Sequence, residues 1–461
     1  MNLKRHHVGG APHSPQKPTF SRRQFLGTAT AAGASLALAR VPASAADSPT
    51  RATAAPASAP AASSPVGSSW PISDRRDEEA LIGVLRSGRW GRTGGGGVRV
   101  KEFEEVFAKR MGAKYCVATS SGTTALLSTL GALNVGPGDE VVIPPYTFVA
   151  TFNAVTASFA LPVFADIAPD TFEIDAQRIA AAITPATRLL LPPHIGGSTG
   201  ELDAIAELAH ARGIALVEDA CQALTAEWRG KPVGTRGVAG CFSFQASKNL
   251  TSGEGGAVLT NDETFANQVF NFHTPGAPRP APSHGRAANF RLTEFQAGLL
   301  LSQYSRFEAQ QTTRTENATY LATMLAKIPG ITPAKLASGC NRSGWHLFML
   351  RYDAKQFAGL PRAKFFAALA KQGVTASGGY TSLMRAPHVR ALATNPHYVR
   401  IYGQETMARW IERNPCPETD RLAEEGVWLA QTTLLASRSD MERIAEAFNG
   451  VQRRAGELAR T

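Results

Sequence analysis

Residues 215–256 read ALVEDACQALTAEWRGKPVGTRGVAGCFSFQASKNLTSGEGG, and this stretch decides the fold. It opens on an apolar run, 215–217, that ends in two acids, Glu218 and Asp219. A second apolar run, 241–244, leads to Lys248, which stands among Ser243, Ser247 and Asn249, just ahead of a Gly-Glu-Gly-Gly turn. Continuous apolar runs mark strands buried on both faces, as in a parallel sheet covered by helices. Polar groups at the carboxyl ends of such strands open into the crevice where open α/β sheets bind ligands. One carboxylate and one amine are therefore expected in the same crevice, delivered by two strand ends.

A lysine amine forms a Schiff base with an aldehyde. Pyridoxal 5'-phosphate (PLP) is the aldehyde cofactor that also wants an acid partner at its ring nitrogen. A neighbouring carboxylate keeps that nitrogen protonated, because an opposite charge favours the charged form. Asp219 is the candidate acid and Lys248 the candidate amine. On these two residues alone, a strand-end ion pair beside a surface lysine is an equal reading.

The surrounding string resolves the choice. Glu218-Asp219-Ala220-Cys221-Gln222-Ala223, then Phe242-Ser243-Phe244, Lys248-Asn249-Leu250-Thr251 and Gly253-Glu254-Gly255-Gly256 follow one another in order. This resembles the DegT/DnrJ/EryC1/StrS family of PLP-dependent aminotransferases, from Trp70 to the C-terminus and most weakly in the last third. The resemblance implies the aspartate-aminotransferase-like fold of type I. It also implies transfer of an amino group from an amino acid donor, Glu or Gln, to the ketone of a sugar, sugar nucleotide or cyclitol. Two residues depart from the pattern: Leu224 and Thr225 stand where the family usually has His-Gly, at the turn after Gln222.

Other motifs extend the likeness. Ser120-Ser121-Gly122-Thr123 opens a helix after an expected strand at 115–119, and a helix N-terminus with a glycine suits a phosphate. By resemblance Gly122 and Thr123 hold the PLP phosphate, with Ser243 as a second phosphate candidate. Phe148 matches the aromatic that lies against the PLP ring, and Gln222 the residue on the ring-hydroxyl side. His194 matches the family's H-x-x-G and is a second-tier site residue. Asn289 opens a segment like N-x-R-x-x-x-x-Q-A, whose asparagine reaches the phosphate of the neighbouring subunit. A homodimer with shared sites is the implication. Gly378-Gly379-Tyr380 and Trp428-Leu429-Ala430-Gln431 are more similar to the branch acting on cyclitols and aminobenzoate precursors than to the sugar-nucleotide branch.

Outward from this centre, the N-terminus reads as an export signal. Ser21-Arg22-Arg23-Gln24-Phe25-Leu26 resembles the twin-arginine motif, an alanine-rich apolar segment follows, and Ala43-Ser44-Ala45 fits a cleavage site. The apolar part is too short for a membrane span. A bacterial exported protein is the expectation, with a signal peptide over 1–45 and an Ala/Pro/Ser linker over 46–69 that cannot bury a core. Of the 48 Lys and Arg, six lie in the first 46 residues, which hold no acid; the remaining 42 face 37 acids, so the formal charge of +11 drops to +5. That balance gives no argument for nucleic acid. The five cysteines form no zinc pattern, so no metal site is expected.

A large PLP-binding domain is expected over 70–310 and a small α+β domain over 311–461. Strands are expected at 140–144, 161–167, 188–192, 256–261 and 345–352, and helices at 72–88, 100–111, 201–213, 263–272, 361–373 and 439–454. A long helical pattern over 293–328 would bridge the two domains. Three other functions stay open on the sequence: a PLP-dependent dehydratase of the same family, a non-catalytic PLP or sugar sensor, and an exported surface protein. Dehydratase relatives carry histidine in place of the lysine, so Lys248 weighs against the first.

Overall fold

The computed structural model describes residues 65–460; the expected signal peptide and most of the linker lie outside them. Seven strands form the central sheet: β1 (Tyr115–Thr119), β2 (Glu140–Ile143), β3 (Leu161–Phe164), β4 (Thr187–Leu190), β5 (Ala215–Asp219), β8 (Ala239–Ser243) and β9 (Gly256–Thr260). Their spatial order is β1-β9-β8-β5-β4-β2-β3. The β2–β3, β2–β4, β4–β5 and β5–β8 pairs are parallel, while β9 runs antiparallel to both its neighbours. The strands are short and apolar because both faces are covered. Val141, Ile143, Leu189, Val217, Cys241 and Val258 pack into one core, and Ala118, Phe242, Ala257 and Leu259 into another. Phe103 and Phe107 of the Val98–Arg110 helix meet Phe242 and Phe244 in edge-to-face pairs, the geometry the ring quadrupole favours.

The Glu294–Leu325 helix links this core to a second one. Its Ala297, Leu300 and Phe307 belong to the Phe242 cluster; its Ala318, Leu321 and Leu325 belong to a cluster with Phe348, Phe365 and Phe448. The expected domain boundary at 310/311 falls inside this helix. The second core lies on an antiparallel sheet of β10 (Ile331–Pro333), β12 (Leu347–Tyr352) and β13 (Gly426–Ala430). Helices Arg362–Ala370 and Arg438–Arg453 cover it. A third, small sheet joins β6 (Glu227–Trp228), β7 (Lys231–Pro232) and β11 (Cys340–Arg342).

The C-terminal third differs from a single α+β block. Leu383, Val389, Leu392, Tyr398, Met407, Trp410 and Cys416 join the core of the seven-stranded sheet. Tyr398 donates to the Ala160 carbonyl at 3.0 Å, and the Trp410 indole to the Pro162 carbonyl at 2.6 Å. These contacts come from helices of three to seven residues, two of them started by Pro387 and Pro396. Helices that short show too few turns for a 3.6-residue period to stand out.

Candidate active site

The carboxyl ends of β1, β2, β4, β5 and β8 converge on one cleft of about 550 Å³. Ser121, Gly122, Thr123, Thr147, Phe148, Thr151, His194, Asp219, Gln222, Ser243 and Lys248 line it. Every site residue expected from the sequence is therefore there except Asn289, which is exposed on its own chain. Asn289 precedes Phe290, whose carbonyl accepts from the Ser120 N–H at 2.7 Å, so it flanks the turn that opens the Gly122–Ala132 helix.

Lys248 closes a turn in which its N–H donates to the Gln245 carbonyl at 2.8 Å. The Trp70 indole donates to the Ala246 carbonyl at 2.7 Å and pins the same turn from outside. The amine makes no ion pair or hydrogen bond among the described residues, and burial lowers its pKa below the ordinary lysine value, against the raising effect of Cys221 and Asp219. A free, less basic amine is the form that attacks a carbonyl. Asp219 ends β5 and is 6% exposed. Its Oδ2 accepts from the Thr151 hydroxyl at 2.8 Å and its Oδ1 from the Cys221 N–H at 3.3 Å. Two neutral donors orient this carboxylate; no cation neutralises it within hydrogen-bond reach among the described residues.

The opposite wall is built to receive an anion. Ser121 caps the Gly122–Ala132 helix through a capping box with Thr124, which leaves the first helical N–H groups, those of Gly122 and Thr123, facing outward. A Cβ at Gly122 would stand 2.7 Å from the Ser243 Cβ and 2.9 Å from the Cys221 Sγ, so only glycine fits this close approach. Phe148 is 54% exposed at the rim, free to lie against a flat ring. These groups fit PLP: helix N–H groups and Ser243 for its phosphate, Asp219 for its ring nitrogen, Lys248 for its aldehyde.

Thr147, Thr151 and Tyr380 line the cleft although the sequence did not single them out as site residues. Gln222 accepts from the Gly196 N–H at 2.9 Å and donates to the Tyr380 hydroxyl at 2.6 Å. Tyr380 stacks edge-on against Trp428 with centroids 4.6 Å apart, and burial raises its pKa. Both lay in motifs noted as branch signals, yet only the fold brings them beside Gln222. His346 also lines the cleft. His194 Nε2 donates to Glu218 Oε2 at 3.0 Å. Burial works to raise the Glu218 pKa, but the His194 hydrogen bond and the N–H groups of Gly234 and Arg236 outweigh it and lower it.

The departure at Leu224-Thr225 leaves the turn after Gln222 strained. Ala226 N–H donates to the Ala223 carbonyl at 3.0 Å, and Thr225 in the third position has φ 59°. That position favours glycine, a β-branched residue is strained there, and the Thr225 hydroxyl is buried without a partner. Thr225→Gly is expected to stabilise the fold by about 1 kcal/mol, read as a higher denaturant midpoint with unchanged slope.

Residues 71–392 match the profile of the DegT/DnrJ/EryC1/StrS aminotransferase family. The chain is 35% identical over 407 residues to the L-glutamine:2-deoxy-scyllo-inosose aminotransferase of Streptoalloteichus tenebrarius, covering 84% of this chain and 95% of that one. It superposes on a 3-amino-5-hydroxybenzoic acid synthase with a TM-score of 0.73 and 30% identity, covering 85% of this chain and 100% of that one. A Bacillus subtilis structure with bound cofactor PMP gives a TM-score of 0.69 at 25% identity, covering 82% of this chain and 81% of that one.

Proposed function

The chain belongs to the DegT/DnrJ/EryC1/StrS aminotransferase family, and from that premise we propose that it moves an amino group from glutamine to the ketone of a cyclitol or a similar small ring. The protein is a PLP-dependent aminotransferase. One observation carries the reading: a free amine, Lys248, and a buried carboxylate, Asp219, open into the same cleft from neighbouring strands β8 and β5. The similar cyclitol aminotransferase and the paired Tyr380 and Trp428 support the acceptor class.

When bound, PLP supplies a carbonyl for the amine and a ring that withdraws electrons from the substrate carbon. The chain's own residues do the rest. Gly122, Thr123 and Ser243 would hold the phosphate, with Phe148 against the ring. Gln222, held between Gly196 and Tyr380, would fix the hydroxyl side. Asp219 would hold the proton on the ring nitrogen. Lys248 would take the proton from the donor's α-carbon as a base and release it again as an acid. The test is a screen of ketone acceptors with glutamine as donor. Amination of cyclitol ketones is the expected result; activity confined to nucleotide-linked sugars would overturn the acceptor class.

We also propose a homodimer in which Asn289 serves the partner's site. Its exposure beside the Ser120–Gly122 turn supports this, because a two-fold axis lends the same loop in both directions. Mixing an inactive Lys248→Ala chain with an Asn289→Ala chain is expected to restore about a quarter of wild-type activity, since half the dimers are mixed and each holds one intact site. No recovery despite verified exchange would refute the shared site. Export by the twin-arginine route to the periplasm or beyond is likewise a proposal, resting on Arg22 and Arg23. Replacing both with lysine is expected to leave the folded enzyme in the cytoplasm; undiminished export would contradict it.

A further inference from the structure

Residues 65–70 enter the fold just ahead of residue 71, where the match to the family profile begins. This strap is tied at both ends. The Val66 N–H donates to the Gly373 carbonyl at 2.9 Å and the Ser68 N–H to the Thr432 carbonyl at 3.2 Å, while Val66 packs against the core of Phe348 and Phe365. At the other end the Trp70 indole donates to the Ala246 carbonyl at 2.7 Å, in the turn that presents Lys248. That turn has ties of its own. Lys248 N–H bonds the Gln245 carbonyl, and Gln245 Oε1 accepts from the Ser247 N–H at 2.9 Å and the Ser247 hydroxyl at 2.7 Å. Bonds among four successive residues shape a turn but do not say where it stands. Two distant groups do that. Asn249 anchors the far side of Lys248, its Nδ2 donating to the Gly344 carbonyl at 2.7 Å. Trp70 anchors the near side. The same indole lies against a cation, with the Arg314 guanidinium 5.5 Å from the ring centroid. Arg314 belongs to the Glu294–Leu325 helix and is fully buried. It pairs with no acid among the described residues, and its Nε and Nη2 donate to Gln431 Oε1 at 2.9 and 2.6 Å. A desolvated cation is held by the face of an indole more strongly than an exposed one. The ring is thus fixed between the turn and the helix that links the two cores.

We propose that Trp70 is a positioning residue for Lys248: its indole N–H fixes the near side of the turn, so that the strap and the linking helix set where the amine stands. This rests on the aminotransferase reading, in which the amine must meet the substrate carbon. The Lys248 side chain makes no hydrogen bond or ion pair among the described residues, so its placement comes from the backbone that carries it. Small misplacements of a reacting group are costly. Trp70 is not among the residues lining the cleft; it acts through the Ala246 carbonyl.

Two replacements at position 70 remove the N–H. Trp70→Phe also shrinks the ring, whereas β-(3-benzothienyl)alanine keeps the bicyclic shape and the face toward Arg314. The first reading is made on cofactor-free protein, so it does not depend on activity. Amide hydrogen exchange of the 245–248 segment, read by peptide mass, is expected to rise about 3–10-fold in both, the loss of one hydrogen bond. In the loaded enzyme both are expected to lower kcat by about tenfold with KM within about twofold, the signature of a misplaced reacting group. The proposal is overturned if the benzothienyl protein exchanges and turns over like wild type while only the Phe variant is impaired, which marks a packing role alone. Faster exchange with unchanged kcat also overturns it, since the amine would then not need the anchor. A wild type without transfer activity, whose turn still loosens in the benzothienyl protein, would support the anchor and count against the aminotransferase reading.

Discussion

Lys248→Ala is expected to abolish amino-group transfer, lowering kcat by at least ~10⁴-fold, because one side chain serves as both nucleophile and proton carrier. The loss should be one of chemistry, not of fold. Lys248 makes no ion pair or side-chain hydrogen bond among the described residues, and the turn that carries it is closed by backbone groups and by Trp70. Burying an ammonium disfavours it, so the alanine variant should unfold at the same temperature or slightly higher. Two readings check this. Borohydride should fix the cofactor to the wild-type peptide containing Lys248 and to no peptide of the variant. A variant with unchanged turnover would remove Lys248 from the reaction altogether.

Asp219→Asn should be the second largest effect. The substitution keeps the shape and an acceptor oxygen for Thr151, now 2.8 Å from the carboxylate, but removes the charge. A charge against the ring nitrogen favours its protonated form, and without it the electron sink weakens. We expect kcat to fall ~10²–10⁴-fold while the cofactor still binds, since Gly122, Thr123 and Ser243, the proposed phosphate contacts, line the cleft untouched. The measurement is a single-turnover donor reaction at saturating PLP. Near wild-type rates there would assign Asp219 to binding alone.

The strands were legible because they are buried on both faces. The runs 215–217 and 241–244 read as strands, and β5 and β8 sit side by side. Local motifs pointed to Lys248, Asp219 and the Gly122 turn, which line one cleft because each follows the end of its own strand. What the sequence hid is what arrives from far away. Tyr380 reaches Gln222 across 158 residues, and His346 reaches Asn249 across 97. Thr151, 68 residues before Asp219, orients its carboxylate. No local period or spacing encodes such meetings; they follow from the order in which the strands assemble. The short helices around Tyr398 and Trp410 were hidden for another reason, since their burial depends on the β2–β3 edge they cover.

The central claim is that this chain moves an amino group through Lys248. Its most direct test is a half-reaction: protein loaded with PLP, excess L-glutamine or L-glutamate, no acceptor, and the cofactor identified by mass. The expected result is conversion of bound PLP to pyridoxamine phosphate, with one deaminated donor formed per Lys248 site. PLP bound to Lys248 at full occupancy, yet unchanged by every amino acid offered, would contradict it.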